Sequence, residues 1–173
     1  MPEAGATTLK AISGDEQIQK ADAIFRGKAV RIDMARDWSK PRAPVISTVQ
    51  FTPLTVYKGN VANPVSLKFL GGAAGGVELR VEGMPKFEVG QEYVLFVSGK
   101  RSQACPLVGW TEGRLKVNRE ANAEASVPVA GTTSDWLRHT SIARTRAVMP
   151  SRLGLSQFES LLRTRITEVG RSK

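Results

Sequence analysis

Few side chains in this sequence could carry out chemistry. The single cysteine, Cys105, and the single histidine, His139, lie in different parts of the chain, and a reactive thiolate needs a base beside it. Cys105 adjoins the apolar pair 107–108, so we expect a small buried filler, and we expect His139 on the surface. HExxH, GxSxG and Walker-type motifs are absent, and no two acids are spaced as an acid–base pair on one element. The sequence predicts a protein that is not an enzyme and holds no cofactor or metal.

The glycine-rich stretch Gly71–Gly76 has the composition of a phosphate-binding loop. Such a loop needs a following helix and usually a Gly-Lys-Ser/Thr ending. Here Val77–Val81 alternates apolar and polar residues, which is typical of a strand. We therefore expect a flexible hairpin or a lid loop.

Charge is unevenly distributed along the chain. The formal net charge is +9, and 136–173 holds eight Lys/Arg against two acids, whereas the rest is nearly balanced. A basic segment of this kind suits nucleic acid, anionic lipid or an acidic protein, or is a solvated surface that keeps the protein soluble. The candidate contact residues in this segment are Arg138, Arg144 and Arg146.

Aromatic residues make up only 6% of the chain. Most phenylalanines fall in the apolar phase of predicted strands, where they would fill a core (Phe25, Phe51, Phe69 and Phe96). Single-stranded nucleic acid is bound by aromatic stacking platforms on a basic groove. Trp38, Tyr57 and Trp110 are the remaining candidates for such platforms or for other contacts.

A length of 173 residues indicates one domain, and no apolar run is long enough to span a bilayer. Residues 1–11 lack the apolar core of a signal peptide, which leaves export open. We predict a loose segment over 1–12, a β-barrel over 13–130, and a basic loop with a C-terminal helix packed on the barrel over 131–173.

Two capping boxes mark helix starts. Ser13 with Glu16 predicts a short helix over about 14–21, and Ser156 with Glu159 predicts a second helix near the C-terminus. The second helix is amphipathic, because its apolar residues recur at helical spacing (Phe158, Leu161, Leu162, Ile166 and Val169). We expect both helices to pack on the strands.

Short strands separated by glycine and proline turns fill the first two-thirds of the chain. The apolar phase of the second strand switches at Thr52-Pro53, which predicts a bulge. Long strands that bend at bulges let small barrels turn their corners. The sequence predicts a mainly β, closed barrel of five to six strands, over 23–32, 45–58, 65–70, 77–81 and 92–97, with a hairpin of 107–110 and 114–117.

Four segments in this order resemble the netrin-type module, the OB-fold barrel of the tissue inhibitors of metalloproteinases. They are Ala21–Val30, Val49–Gly59, Val89–Phe96 and Gly113–Val117, within a likeness that covers about 13–118. The pattern is also similar to uncharacterised bacterial exported proteins with the same order of Lys-Gly, Gly-Gly, Pro-x-Phe and Gly-x-Glu-Tyr. The resemblance implies an OB-type barrel and a periplasmic or secreted location.

The inhibitor mechanism that the resemblance implies depends on an N-terminal cysteine, whose amine and carbonyl bind the protease zinc. This sequence has no cysteine before Cys105, so no inhibitory residue carries over. We expect a non-enzymatic exported binding module whose partner is another protein or an envelope component. The alternatives are a single-stranded nucleic-acid-binding OB protein and a metalloprotease inhibitor. The candidate contact loops of the module are 34–44 and 71–76.

Overall fold

A computed structural model of the protein describes residues 12–99, 104–121, 123–129, 136 and 151–171. The strands and helices in chain order are α1 (Gly14–Lys20), β1 (Ala23–Arg36), β2 (Val45–Lys58), β3 (Val65–Leu70), β4 (Gly72–Ala74), β5 (Val77–Leu79), β6 (Glu92–Val97), a 3-10 helix (Trp110–Gly113), β7 (Arg114–Lys116), β8 (Ser126–Pro128), β9 (Arg152–Gly154) and α2 (Leu155–Arg171). The chain is mainly β with two helices, as predicted.

Side chains fix helix α1 at both ends. The Glu16 N–H donates to Ser13 Oγ at 3.2 Å, which confirms the predicted cap. At the other end, Lys58 Nζ donates to the carbonyls of Ile18 at 2.7 Å and Ala21 at 2.5 Å. The last carbonyls of a helix have no partner within the helix. Lys58 therefore satisfies them and ties the end of β2 to α1.

Five strands form one antiparallel sheet in the order β3-β2-β1-β6-β7. Strand β1 extends beyond its predicted end and pairs with β2 as far as Arg36. A register shift in this pairing leaves Leu54 as an extra residue beside Pro53. The predicted bulge at this point of β2 is confirmed.

The predicted closed barrel is wrong, because the sheet is open. Strands β3 and β7 are its edges, and no ladder joins them in the part of the chain that the structure describes. Residues 104–108 lie between β3 and β6 instead. Leu70 N donates to Ala104 O at 2.8 Å, and Leu107 forms an isolated bridge with Val97. The same segment makes two hydrogen bonds with the end of β6, from Ser98 N to Pro106 O at 2.8 Å and from Val108 N to Phe96 O at 2.9 Å.

The predicted hairpin of 107–110 with 114–117 is also wrong. Trp110 begins a 3-10 helix, and the strand that follows pairs with β6, where Leu115 lies opposite Val94. Strand β7 thus extends the main sheet rather than folding back on residues 107–110.

Two apolar clusters lie against opposite faces of the sheet. The inner cluster comprises Phe25, Ala29, Val49, Phe51, Leu67, Phe69, Tyr93, Leu95, Cys105 and Leu107. The helix-side cluster joins the other face to both helices and to Trp136, with Ile18, Ile24, Val94, Phe96, Phe158 and Leu162 among its members. Strands β1 and β6 contribute to both clusters, since successive residues of a strand point to opposite faces.

Helix α2 buries one face against the sheet, as its spacing predicted, through Leu155, Phe158, Leu162 and Val169. It begins at Leu155, one residue before the predicted start. The Ser156 N–H donates to Glu124 Oε1 at 3.3 Å, and Glu159 contacts the sheet rather than closing a capping box. Neither described helix has the length and apolar character of a membrane span.

Candidate binding surface and cleft

The two predicted contact loops meet at one point of the fold. Gly75 and Gly76 join β4 to β5 with φ values of 55° and 77°, and the turn of a two-residue hairpin favours positive φ at both positions. The predicted hairpin is therefore confirmed. A Cβ atom at Gly75 would lie 2.3 Å from Cζ2 of Trp38, so the indole ring packs directly on the Gly75 backbone.

Trp38 stays 60% exposed although it packs on the hairpin. The Arg36 guanidinium lies 4.8 Å from the centroid of the Trp38 ring, and it donates to Pro41 O at 2.8 Å. Met34 is 49% exposed, and its sulfur accepts a hydrogen bond from Ala73 N at 3.3 Å. We call the surface formed by Met34, Arg36, Trp38 and residues 72–79 the Trp38 platform.

A cleft of about 820 Å³ opens beside the Trp38 platform. One side of the cleft is formed by the C-terminal halves of β1 and β3 and the N-terminal half of β2. The other side is formed by the β4–β5 hairpin and residues 80–87. Its described apolar lining includes Ile32, Met34, Val49, Phe69, Leu70, Leu79, Val81, Met84 and Phe87. A volume of this order lies within the range of small-molecule sites, and four charged side chains also line the cleft: Glu78, Arg80, Glu82 and Lys86.

The cleft has few polar groups for a ligand to use. Of the described lining residues, Ser47 has the one side-chain hydroxyl, and it donates to Gly71 O at 2.6 Å. At the rim, Arg80 pairs with Glu78 at 2.7 Å, while Glu82 and Lys86 are exposed. The apolar side chains of the cleft can therefore contact an apolar group, and the charged lining residues are the exposed ones.

Phe87 forms one wall of the cleft and joins it to the inner cluster. Its ring centroid lies 5.3 Å from that of Phe51, 5.0 Å from that of Phe69 and 5.2 Å from that of Tyr93. The contacts with Phe51 and Tyr93 are edge-on, at 79° and 82° between the ring planes, and edge-on contacts contribute beyond simple burial. The Glu88 N–H also donates to the Tyr93 hydroxyl at 2.9 Å, so this wall is held from inside the fold.

Three side chains near β7 fasten the segment 83–88 from outside. Thr111 Oγ1 donates to Gly83 O at 2.5 Å, and Arg114 donates to Lys86 O. Lys116 Nζ lies 2.9 Å from Glu88 Oε2. One side of the segment is thus fixed to β7, and its other side faces the cleft.

A network of charges joins the sheet to α2 on the opposite face. Arg26 lies 2.8 Å from Glu92 and 3.1 Å from Glu159, with side chains only 14–24% exposed. Arg119 donates twice to Glu92, at 2.9 Å each. Burial by itself raises the pKa of Glu92, but the hydrogen bonds from Arg119 and Arg26 outweigh it and lower the pKa below its ordinary value. The network holds α2 on the sheet.

Tyr57 belongs to this network. Its hydroxyl donates to Glu159 Oε1 at 2.6 Å, and the Arg163 guanidinium lies 5.2 Å from its ring centroid. Burial, followed by the hydrogen bond and charge of Glu159, raises the pKa of Tyr57 well above its usual range. The ring and the hydroxyl of Tyr57 are both engaged by α2.

The structure does not bring the three candidate aromatic residues together. Trp38 follows the end of β1, whereas Tyr57 lies near the start of β1, on the order of 35 Å away at strand spacing. Trp110 is partly buried against the inner cluster, with φ of 55°. The three basic candidates, Arg138, Arg144 and Arg146, lie outside the described residues, as does His139.

Cys105 is buried in the inner cluster, as predicted. Burial raises the pKa of its thiol to about 11, so the thiolate is scarce at neutral pH. Within the described residues, no three His, Cys, Asp or Glu side chains are grouped so that they could hold a metal ion.

Sequence reasoning missed the cleft and the charge network. The cleft could not be predicted, because its walls come from segments distant in the chain: Phe69, a core residue as predicted, and Met84 both line it. One feature of the sequence indicates the charge network: Glu92 begins an otherwise apolar strand, where a partly buried charge needs partners. The sequence predicts Glu159 in the capping box of its own helix, whereas in the structure it contacts Tyr57 and Arg26.

The fold and the site together define a mainly β protein with an exposed aromatic platform beside an apolar cleft. Comparisons with protein-family models, with curated proteins and with solved structures find no match to this chain. Its function must therefore be argued from its own geometry.

Proposed function

We propose that this chain is a non-enzymatic binding module, exported to the periplasm or secreted, whose partner is another protein or an envelope component. Its architecture would be a netrin-like variant of the OB fold. Support for that variant comes from the long, bent β1 between β2 and β6, and from the single bond between Leu70 and Ala104 beside the open edge. OB barrels are partly open.

The observation that carries the proposal is the exposure of Trp38 on a fixed support. Tryptophan and arginine are the residues that most often dominate binding energy at protein interfaces. Trp38 is held from below by Gly75, and Arg36 stacks on it. A ring fixed in this way loses little conformational entropy when a partner covers it.

The described geometry favours a protein partner over single-stranded nucleic acid. Stacking of successive bases needs several aromatic rings along one groove. Trp38 lies far from Tyr57, whose ring is covered by Arg163, and Trp110 is partly buried. Trp38 with Arg36 provides one stacking position. The metalloprotease-inhibitor alternative depends on an N-terminal cysteine, whereas Cys105, the one cysteine of the given sequence, is buried in the inner cluster.

The proposal can be tested by capture from envelope extract of the source cell, followed by affinity measurement with the purified captured protein. We expect Trp38→Ala to weaken that affinity by about 30-fold, the effect of a loss near 2 kcal/mol at an interface hot spot. Val89→Ala is the matched control, because Val89 is also 60% exposed and lies outside the platform. It should change affinity less than about twofold.

Equal effects of the two substitutions would contradict a partner site at Trp38. A second measurement separates the alternative. Salt-dependent binding of a single-stranded oligonucleotide that Trp38→Ala weakens would favour the nucleic-acid function. Fractionation of cells that express the natural gene tests export, and recovery only in the cytosol would contradict it.

A further inference from the structure

We infer that Met34 is a site of oxidation to methionine sulfoxide, and that this modification loosens the β4–β5 hairpin and weakens the Trp38 platform as a partner site. The oxidation and the loosening concern this chain alone. The effect on a partner rests on the proposed binding function, because Met34 and the hairpin both belong to the platform.

The β4–β5 hairpin depends on side chains for its attachment to the rest of the molecule. Its two strands have three residues each, and in the part of the chain that the structure describes they form a sheet of their own. An isolated two-stranded hairpin is only marginally stable in water. Side chains that hold it in place include Met34, Trp38 and Ser47.

The sulfur of Met34 lies directly on the backbone of β4. Ala73 N donates to Met34 Sδ at 3.3 Å. A Cβ atom at Gly72 would lie 3.1 Å from Met34 Sδ and 3.2 Å from Met34 Cγ. Gly72 has a φ of 127°, which glycine adopts without steric cost. The thioether therefore contacts the hairpin at two successive residues.

Met34 is open to a small oxidant. The residue is 49% exposed, whereas Met84, the other methionine among the described residues, is only partly exposed. Hydrogen peroxide is a small neutral molecule, so it can reach a half-exposed thioether. Because oxidation of a side chain depends on its exposure, we expect Met34 to react before Met84.

The reaction with hydrogen peroxide needs no further reactant. A lone pair of Met34 Sδ attacks one peroxide oxygen, an S–O bond forms and the O–O bond breaks. The hydroxide that leaves takes the proton from the transferred oxygen and becomes water. The sulfur loses two electrons, and the peroxide gains them. The product is a polar, chiral sulfoxide in place of a flexible apolar thioether.

The added oxygen is incompatible with the contact between Met34 and β4. On the side of Ala73 it would stand between the sulfur and the Ala73 N–H, so β4 would have to move outward. On the opposite side it would give a strong dipole to a side chain that lines the apolar part of the cleft, and such a dipole favours water. Both sulfoxide epimers therefore favour a hairpin displaced from Met34.

The displacement reaches Trp38 through the turn of the hairpin. The indole ring packs on Gly75, two residues after Ala73. Once Gly75 moves, the ring gains conformational freedom that a partner must remove on binding, and this lowers the affinity. Oxidation of Met34 should thus increase the accessibility of Trp38 and weaken partner binding.

The first test measures the oxidation itself. The full chain is treated with hydrogen peroxide, and each methionine is followed by peptide mass spectrometry. We expect Met34 to be oxidised at least threefold faster than Met84 in the folded protein, an order-of-magnitude figure set by exposure, roughly. In concentrated urea, where both are exposed, the two rates should converge. Equal rates in the folded protein would overturn the modification site.

The second test measures the loosening by acrylamide quenching of tryptophan emission. Oxidation of the wild-type protein should increase quenching by about 1.5-fold, because local opening exposes Trp38. Met34→Leu is the control, since it keeps an apolar side chain without sulfur, and peroxide should leave its quenching unchanged. Met84→Leu should respond like the wild type. Oxidation of Met34 without increased quenching, or an equal increase in Met34→Leu, would overturn the inference.

A third measurement needs no variant and so holds even if Met34→Leu fails to fold. Methionine sulfoxide reductases return the sulfoxide to the thioether. Reduction of the oxidised wild-type protein, confirmed at Met34 by mass spectrometry, should restore the original quenching. Quenching that stays high after Met34 is reduced would overturn the role of this residue.

These results are separable from those for the proposed function. With the captured partner, oxidation should weaken affinity by about fivefold in the wild type and leave Met34→Leu unchanged. Unchanged wild-type affinity after oxidation, with Trp38→Ala still weakening it, would retain the proposed function and refute the control of the platform by Met34. A partner whose binding does not depend on Trp38 would refute the proposed function alone, and the quenching result would still decide the modification.

Discussion

Tyr57 donates its phenolic hydrogen to Glu159 at 2.6 Å, across the boundary between the main sheet and α2. The same carboxylate oxygen lies 3.1 Å from Arg26 Nε. Tyr57, near the end of β2, and Arg26, in β1, thus share one acceptor on α2, which lies far from both in the sequence. This shared acceptor makes the docking of α2 sensitive to pH and to single substitutions.

The stability of the protein should fall in alkaline solution partly through Tyr57. Its pKa in the folded protein is raised above the ordinary 10.0, so the folded state keeps a proton that the unfolded chain loses. The free energy of unfolding should therefore decrease as the pH rises above about 10, and Tyr57→Phe should remove that part of the slope. Urea titrations from about pH 9 to about pH 11 measure it. Identical slopes for both proteins would contradict the assigned partner.

Glu92 should matter more than an exposed acid of the same kind. Glu92→Gln should lower the free energy of unfolding by about 2 kcal/mol at neutral pH, because it leaves Arg26 partly buried without its main partner. The cost should shrink as the pH falls below the ordinary pKa of 4.5, since the lowered pKa of Glu92 stabilises the fold only while the group is ionised. Glu120→Gln is the control, with a 63% exposed side chain paired to Arg152, and should cost less than about 1 kcal/mol.

Lys58 should contribute to stability through the end of α1. Lys58→Met retains most of the apolar stem and removes the charged donor to the Ile18 and Ala21 carbonyls. We expect a loss of about 2 kcal/mol in urea unfolding, a usual value for hydrogen bonds from a charged group. Lys68→Met, on the exposed side of β3, should change the free energy of unfolding by less than about 0.5 kcal/mol. Similar losses for both would rule out the cap.

Two adjacent glycines allow strain to be separated from displacement of Trp38. Both have positive φ, so Gly75→Ala and Gly76→Ala should each cost about 1 kcal/mol. Only the Cβ at position 75 would meet the indole ring, whereas that at position 76 meets nothing within 4 Å. Acrylamide quenching of tryptophan emission should therefore change for Gly75→Ala alone. A matching change in Gly76→Ala would show that Trp38 does not pack as described.

Phe87 should anchor the wall of the cleft. Phe87→Ala removes three ring contacts within the inner cluster and should cost about 3 kcal/mol, the lower end for a phenylalanine in a core. Val89→Ala, two residues along the same segment and 60% exposed, should cost less than about 0.5 kcal/mol. Thermal melts of both variants provide the comparison, and equal melting temperatures would contradict the anchor.

Local patterns predicted the elements well, because they depend on neighbours in the chain. The cap at Ser13, the bulge beside Pro53, the glycine hairpin and the apolar face of α2 all follow from residues within one or two turns. The closed barrel was wrong for a reason that is not local. Closure needs the edge strands β3 and β7, which are far apart in the chain, to be joined, and no ladder joins them among the described residues.

The motifs behind the netrin-type resemblance have structural explanations in this fold. Lys58 caps α1, and a Cβ at Gly59 would lie 2.2 Å from Asp22 O, so glycine is needed there. Phe87 packs against the inner cluster, and the Tyr93 hydroxyl accepts a hydrogen bond from Glu88 N. These residues predict a shape and not an activity. Trp38 and the loops 34–44 and 71–76 could be predicted as contacts, but their meeting in one platform and the cleft could not, because these depend on contacts between segments far apart in sequence.

Strands β1 and β6 each supply side chains to both apolar clusters: Ile24 and Phe96 to one, Phe25 and Leu95 to the other. Neither cluster can lose its packing while the shared strands stay in place for the other. Heat or denaturant should therefore melt the main sheet and both described helices in a single all-or-none step, with no half-folded species that retains α2 on a disordered sheet.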